Sequence, residues 1–516
     1  MIPRPGLPGN GPTRAGRDCY NISMSRSRTS PSTLPRFSVA CRTAVFAAIL
    51  VGAHALAASA ETYEIGPQDD LFAVLADLAP GDEVLVAEGT YQTPGFYEVA
   101  WNGTAEAPIV VRAADGARPI IQGDPSQNVI NLDGAHFTLR GFEIVGGSHG
   151  LRLGDVSDAV FEDLVIHDVE DVALSCNRPE HACDSLVVRG NEIYNTGRSG
   201  TGEGMYLGCN DAACSFSNSL IEGNYLHDLA GSQADGIELK TGAHGNIVRD
   251  NVIIGANYPA ITMYGFADGA GAENLVERNF VWGTVDNGIQ VVGQVVVRNN
   301  IVVDAGQNGI HSKPSQGFAP HDVLIVHNTV LNAGAACLKT NDWSGESGQI
   351  VANNALFCDD GLAVDINGGA PEAIFAGNLA AGEVRGPDGF GVSEGVASEL
   401  VDPAQLGLYP IAASALLDTG DVTYAGADDF NGNARSDGAP DIGAYERTAE
   451  DNPGWTLQEG FKTDTPLIEP LPDDDAGCGC RISPTRSSGE SGPLGAGWPI
   501  LALGLGALLW TRRRAE

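Results

Sequence analysis

Seven short segments place an asparagine at the same phase of a loose repeat, and that repeat limits the folds open to the chain more than any other feature. They read VVRGNEIYN, LIEGNYLHD, IVRDNVIIG, LVERNFVWG, VVRNNIVVD, LIVHNTVLN and IVANNALFC, with Asn191, Asn224, Asn251, Asn279, Asn300, Asn328 and Asn354 at the shared position. The interval is roughly 20 to 30 residues, the range of stacked repeat architectures. The coils also carry short alternating strands such as GLRLG, GMYLG, GIELK, GIQVV and GIHSK. An asparagine at a sharp bend can take left-handed backbone angles. Repeated in every coil, its amide can also stack on the amides above and below. One coil cannot bury its apolar face alone, so coils stack and their strands pair in parallel and in register. Variable coil lengths with fixed strand phases predict an all-β solenoid, a right-handed parallel β-helix, over residues 121–385. The leucine spacing of leucine-rich repeats is absent.

Residues 1–60 read as an export signal. Arg26, Arg28, Arg36 and Arg42 precede the apolar run AVFAAILVGAHALA and the small-residue cleavage site Ala58-Ser59-Ala60. The whole chain carries 29 basic and 66 acidic residues, a formal net charge of −37. So acidic a surface excludes nucleic acid, which needs a basic footprint. It can hold a polyanion only through a local basic cluster or a divalent cation. Of the cysteines beyond the signal, Cys176 and Cys183 flank a short insertion, as do Cys209 and Cys214. Both pairs predict loop disulfides formed in an oxidising compartment. Cys337 and Cys358 lie about one coil apart, and strands about 4.8 Å apart bring such a pair within disulfide reach. Zinc ligation is the alternative, without histidines at ligand spacing nearby.

Residues 451–476 read as an acidic, proline-rich linker, EPLPDDDAG near its end. Residues 477–516 hold CGC (Cys478 and Cys480), an apolar segment from about Leu494 to Trp510, and Arg512-Arg513-Arg514. The apolar segment is at the short limit for a membrane span, and the arginines would stay cytoplasmic. This tail resembles the MYXO-CTERM sorting domain of myxobacterial surface proteins. The resemblance implies cutting near the cysteines by a sorting protease, with the mature protein left at the cell surface. Residues 61–120 resemble the opening coils of β-helix polysaccharide lyases, which implies a capping helix near Leu71 to Leu78 over the solenoid's open end. Residues 386–450 close the other end. Their stretch DDFNGNARSDGAPDIGAYE lacks the spacing of an EF-hand and reads as a turn-rich cap. The solenoid is expected to be a monomer.

Side chains alternate along a strand, so aligning the strands on GLRLG shows which residues share the outer face. The third and fifth positions point out. They are Arg152, Leu174 with Cys176, Tyr206, Glu238 with Lys240, Thr262 with Tyr264, Gln290, and His311 with Lys313. In ACLKT the same alignment turns Lys339 inward unless the strand slips. Lys240, Tyr264, His311 and Lys313 are the candidate catalytic groups. Tyr206, Glu238, Gln290 and Arg249 are the candidate substrate-binding groups. Glu203 and Asp235 sit at one phase just ahead of their strands, one coil apart. A column of aromatic, charged and hydrogen-bonding groups spanning roughly 20 Å suits a sugar chain, or else is the ordinary polar face of a sheet. The chemistry it could run is β-elimination on a uronic acid polymer. That needs a base for the proton beside the carboxylate, a neutraliser for the enolate and an acid for the leaving oxygen.

The pattern D-x-x-E-x-K of Asp235, Glu238 and Lys240, followed by N-x-x-R-x-N, resembles the central coils of polysaccharide lyase family six, the alginate lyase and chondroitinase B group. The resemblance implies Lys240 as base, and Asp235 and Glu203 as ligands of Ca2+. That family's arginine acid falls at or beside Tyr264, where ITMYG holds no arginine. A site like that of family-nine pectate lyases, a lysine base with an aspartate-rich calcium cluster, is the neighbouring alternative. Two other classes stay open. One is a non-catalytic surface polysaccharide binder or adhesin. The other is a glycoside hydrolase using Glu203 and Asp235, which would lie about 5 Å apart if stacked.

Overall fold

The chain is seen in a computed structural model that describes residues 60–463, Glu346 and Asp437 excepted. Three-residue strands alternate buried and outward residues and wind into coils, each contributing one strand to each of three parallel ladders. The first ladder contains Leu174–Cys176, Met205–Leu207, Ile237–Leu239, Ile261–Met263, Ile289–Val291, Asn308–Ser312 and Ala336–Asn341. The second includes Leu220–Glu222, Ile247–Arg249 and Asn274–Glu277. The third includes Glu192–Tyr194, Tyr225–His227, Val252–Ile254 and Phe280–Trp282. Pairing between coils is parallel and in register throughout these ladders. The architecture is a parallel β-helix, with Ile, Leu, Val and Phe filling its interior. A short helix, Leu71–Leu75, covers the first coils. It accepts hydrogen bonds from Tyr97 and Trp101 at the carbonyls of Phe72 and Leu75.

The asparagines form the expected ladder at the corner between the second and third strands. The Asn191 amide donates to Asn224 Oδ1 at 2.9 Å, and the same bond repeats without a break to Asn378. The left-handed residue, however, is the one before each ladder asparagine. Gly190, Gly223, Asp250, Arg278, Asn299, His327, Asn353 and Gly377 all have φ between 53° and 62°. The division of labour follows from geometry: the bend turns the next residue inward, where its amide meets the coil below.

Two register expectations are corrected. Ser175, and not Leu174 with Cys176, shares the outer column with Arg152 and Tyr206, because Leu174 pairs with Leu151 and Met205 in the core. Lys339 pairs with His311 and faces out, where it meets Asp365 at 3.3 Å. One extra residue precedes Leu174, which follows His167 by seven positions where Leu151 follows Val145 by six. ACLKT, in contrast, starts at Ala336, the partner of Asn308, one position ahead of the first residue of GIHSK.

The three expected disulfides are formed: Cys176–Cys183, Cys209–Cys214 and Cys337–Cys358. The last pair does not join neighbours within one ladder. Cys337 lies on a first-ladder strand, whereas Cys358 follows the third-ladder residue Phe357 one coil on, so the bridge crosses a corner. The C-terminal segment then folds back along the solenoid. Leu400, Leu408, Phe430, Tyr445 and Trp455 cover the apolar outer face of the third ladder at Val252, Phe280, Ile301 and Leu331. Packing continues past residue 450: Lys462 is buried and reaches Asp250 Oδ1 at 2.8 Å. Among the described residues no helix is long and apolar enough to cross a membrane. The signal region, Cys478, Cys480 and the apolar tail lie outside the described residues.

Candidate functional site

Stacking brings together side chains that the sequence holds a coil apart. Tyr206, Glu238 and Thr262 are consecutive partners across the first ladder, followed by Gln290, His311 and Lys339. Lys240 lies two residues beyond Glu238, on the same face. Its Nζ donates to Glu238 Oε1 at 2.7 Å. It also sits 4.8 Å from the centre of the Tyr206 ring and 4.6 Å from that of Tyr264, one coil to either side. Such cation–aromatic contacts are strongest when desolvated, and Lys240 is only 5% exposed. The face predicted as solvent-facing is therefore closed over at its centre.

The corner ahead of these strands is acidic. Glu203 and Asp235 are 1% and 2% exposed. The Thr262 hydroxyl donates to Asp235, and the Thr201 hydroxyl bridges Asp171 and Glu203. Burial pushes the Glu203 carboxyl up to about 7, against the pull of Thr201. Burial and the nearby Glu238 raise Asp235 well above the usual carboxylate range. Burial raises Glu238 too, and Lys240 offsets part of that. Lys240 itself is pulled down by burial. The charge and hydrogen bond of Glu238 outweigh this, and its net shift is upward. Burial and Glu238 lift the Tyr264 phenol to about 12. The cluster thus holds one fixed cation, phenols that keep their protons, and carboxyls poised to share protons at neutral pH.

Three members escaped the sequence reading. His149 stands three residues before Arg152, the same phase that places Glu203 before Tyr206, so its register was available. It bonds Ser175 Oγ at 3.1 Å, and burial lowers its pKa to about 4. Asp171 and Thr201 come from irregular corners with no phase to count. Of the predicted residues, Gln290 accepts from Asn287 at 3.1 Å and His311 Nε2 meets Asn341 Oδ1 at 2.8 Å, both in the same column. Arg249 is not in this column. It lies on the second ladder, paired with Glu222 at 2.8 Å.

Buried carboxylates that repel one another are hard oxygen donors suited to Ca2+. Glu203 and Asp235 offer that chemistry, and Glu238 adjoins them. Among the described residues, the group whose ligand atoms already lie within 4.8 Å of one another is instead Asp133, Asp155 and His181. There Arg178 neutralises Asp133 at 3.0 Å, and the N–H groups of Asp155 and Ala182 take up the carboxylates, a structural use of the cluster.

A parallel solenoid with a charged column on its first ladder defines the class, and the family models that match the chain agree on the fold. A family model described as "Pel9A-like, right handed beta helix region" matches residues 51–256, and one described as "Right handed beta helix region" matches 215–356. Similar solved structures include an alginate lyase from Paenibacillus sp. str. FPU-7, 18% identical with a TM-score of 0.40, over 64% of this chain and 99% of that one. Another is pectate lyase Pel9A, 18% identical with a TM-score of 0.44, over 76% and 97%. A third is a mannuronic acid specific family 6 lyase from human gut microbiota, 17% identical with a TM-score of 0.44, over 64% and 91%. No curated protein matches the chain. A shared reaction does not follow from a shared fold, and the chemistry below rests on this chain's own side chains.

Proposed function

We propose that the protein is an exported, surface-displayed β-helix that binds uronic acid polymers along its first ladder and cleaves them by β-elimination at Lys240. The observation that carries this reading is Lys240 held between two tyrosines and against a buried glutamate, with further carboxyls beside it. Lys240 passes a proton to Glu238 across their 2.7 Å hydrogen bond, and the amine so freed takes the proton on the carbon bearing the carboxylate, so that the pair as a unit gains one proton. The electron pair left behind forms the new carbon–carbon double bond as the adjacent carbon–oxygen bond breaks. Tyr264, still protonated at neutral pH, donates to the leaving oxygen, the role an acid must fill there. Asp235 and Glu203, with Glu238, would hold Ca2+, which supplies positive charge against the substrate carboxylate. Three disulfides support an oxidising compartment, consistent with export through residues 1–60 and display through residues 477–516.

The test is formation of unsaturated uronate, followed by its ultraviolet absorbance, from alginate, pectate and glycosaminoglycans, with calcium and with chelator. Lys240→Ala and Tyr264→Phe should each lower the rate about 100-fold or more. No absorbing product from any polymer would sink the lyase reading. A second reading, a non-catalytic polysaccharide binder, is favoured by two features: Glu238 keeps Lys240 charged, and no arginine stands at Tyr264.

A further inference from the structure

The chain of 516 residues contains four lysines, and three of them, Lys240, Lys313 and Lys339, lie on the outer face of the first ladder. Composition alone would scatter so few. The fourth, Lys462, belongs to the C-terminal segment and is buried. Register sets the spacing of the cations along the solenoid. Arg152 reaches the row of Glu238 and Lys240 through Ser175 and Tyr206, three coils away. In the other direction Thr262 and Gln290 lead to His311 and Lys313, again three coils away, with Lys339 on the coil after. Each interval is roughly 14 Å at the spacing of stacked strands, longer than one sugar ring.

Three of the lysines hold a carboxylate of the protein: Lys240 on Glu238, Lys339 on Asp365 and Lys462 on Asp250. Among the described residues Lys313 has no side-chain hydrogen bond or ion pair. It stands at the foot of a loop that leans back along the groove, where Phe318 abuts Gly265 and Gln316 reaches Asn210 at 3.3 Å. The side chain beside it, His311, bonds Asn341 and is held neutral by burial and the two lysines, so it adds a hydrogen-bonding group without a further charge. In a protein of net charge −37, a polyanion can dock only where local cations outweigh the general repulsion.

We infer that Arg152 on one side and Lys313 on the other are outer carboxylate-binding subsites of the Lys240 column. The ligand is then a polyuronate chain laid along the solenoid axis and held at three places. This rests on the proposed polyuronate specificity and extends it from one sugar to a chain length.

Equilibrium binding of short and long oligomers of mannuronate, guluronate and galacturonate, measured by calorimetry on the full chain, tests it. Affinity should rise with length in the unaltered protein. Lys313→Gln and Arg152→Gln should each lower affinity for long oligomers about tenfold, roughly 1.4 kcal/mol, and leave the shortest oligomers unchanged. Arg385→Gln, at an exposed pair with Glu383 far along the chain, is the control for charge alone. Melting curves confirm that the half-exposed variants remain folded. A length dependence identical in all variants overturns the subsites while leaving the polyuronate reading intact. No binding of any oligouronate by the unaltered protein overturns both.

Discussion

At the scale of single residues, the buried carboxyls of the groove set its dependence on pH. Glu203 has a folded value of about 7 against an ordinary 4.5. The folded state therefore binds this proton more tightly than the unfolded chain does. The associated stability is fully present below about pH 4.5 and is lost as pH rises through about 7. Glu203→Gln should flatten that slope and be more stable than the unaltered protein near pH 8, by a figure on the order of 3 kcal/mol. Denaturant unfolding in chelator at about pH 5 and about pH 8 would measure it. An unchanged slope would show that Glu203 is already ionised at neutral pH. Lys240 is an opposite case: its partner Glu238, two residues away on the same face, was legible in the sequence. The rings of Tyr206 and Tyr264 that enclose it were legible only as members of a column, because their closeness depends on coils stacking without a slip.

At the scale of elements, the asparagine ladder holds the corners together. Asn279 donates to Asn300 Oδ1 at 3.0 Å and to the Val248 carbonyl at 2.9 Å, and accepts from the backbone and amide of Asn251. Removing it strands buried donors and acceptors on both neighbouring coils, each worth about 1–3 kcal/mol when left unpaired. Asn279→Ala should therefore cost at least about 3 kcal/mol, while Asn378→Ala, at the ladder's end, should cost less. Urea midpoints compare the two, and equal small losses would reduce the ladder to a by-product of stacking. The phase of these asparagines was plain from the sequence because it is local: one bend, one residue on. The register of Leu174–Cys176 was not, because an insertion adds a residue without adding a strand position, and Lys339 was misplaced because ACLKT starts one position ahead of GIHSK.

At the scale of the whole molecule, the third ladder turns its outer face from polar to apolar along the solenoid. Tyr194 and His227, stacked at 4.9 Å, give way to Phe280, Ile301 and Leu331. The C-terminal segment lies over that apolar stretch. It is anchored by polar contacts as well as by packing: Arg278 reaches Asp428 at 2.9 Å, and the buried Arg435 donates to Asn299 Oδ1 at 3.2 Å. A chain ending before Leu400 should expose the apolar face and bind a hydrophobic dye strongly, with aggregation following. A soluble, dye-silent truncation would mean that the solenoid covers this face in some other way. Residues beyond 450 read as linker from their acid and proline content. Trp455 and Lys462 pack there because their partners lie some two hundred positions earlier, a distance no local pattern can report.

The sequence by itself determined the solenoid, its corners, the disulfide partners and the column containing Tyr206, Glu238, Lys240 and Tyr264, because each follows from a period or a short spacing. Only the tertiary structure decided that the centre of this column is buried, that Arg249 lies elsewhere, that His149, Asp171 and Thr201 join the acidic corner, and where the C-terminal segment comes to rest. Alternation says which side of a strand a residue takes. Burial and charge state depend on what the neighbouring coils and loops bring against it.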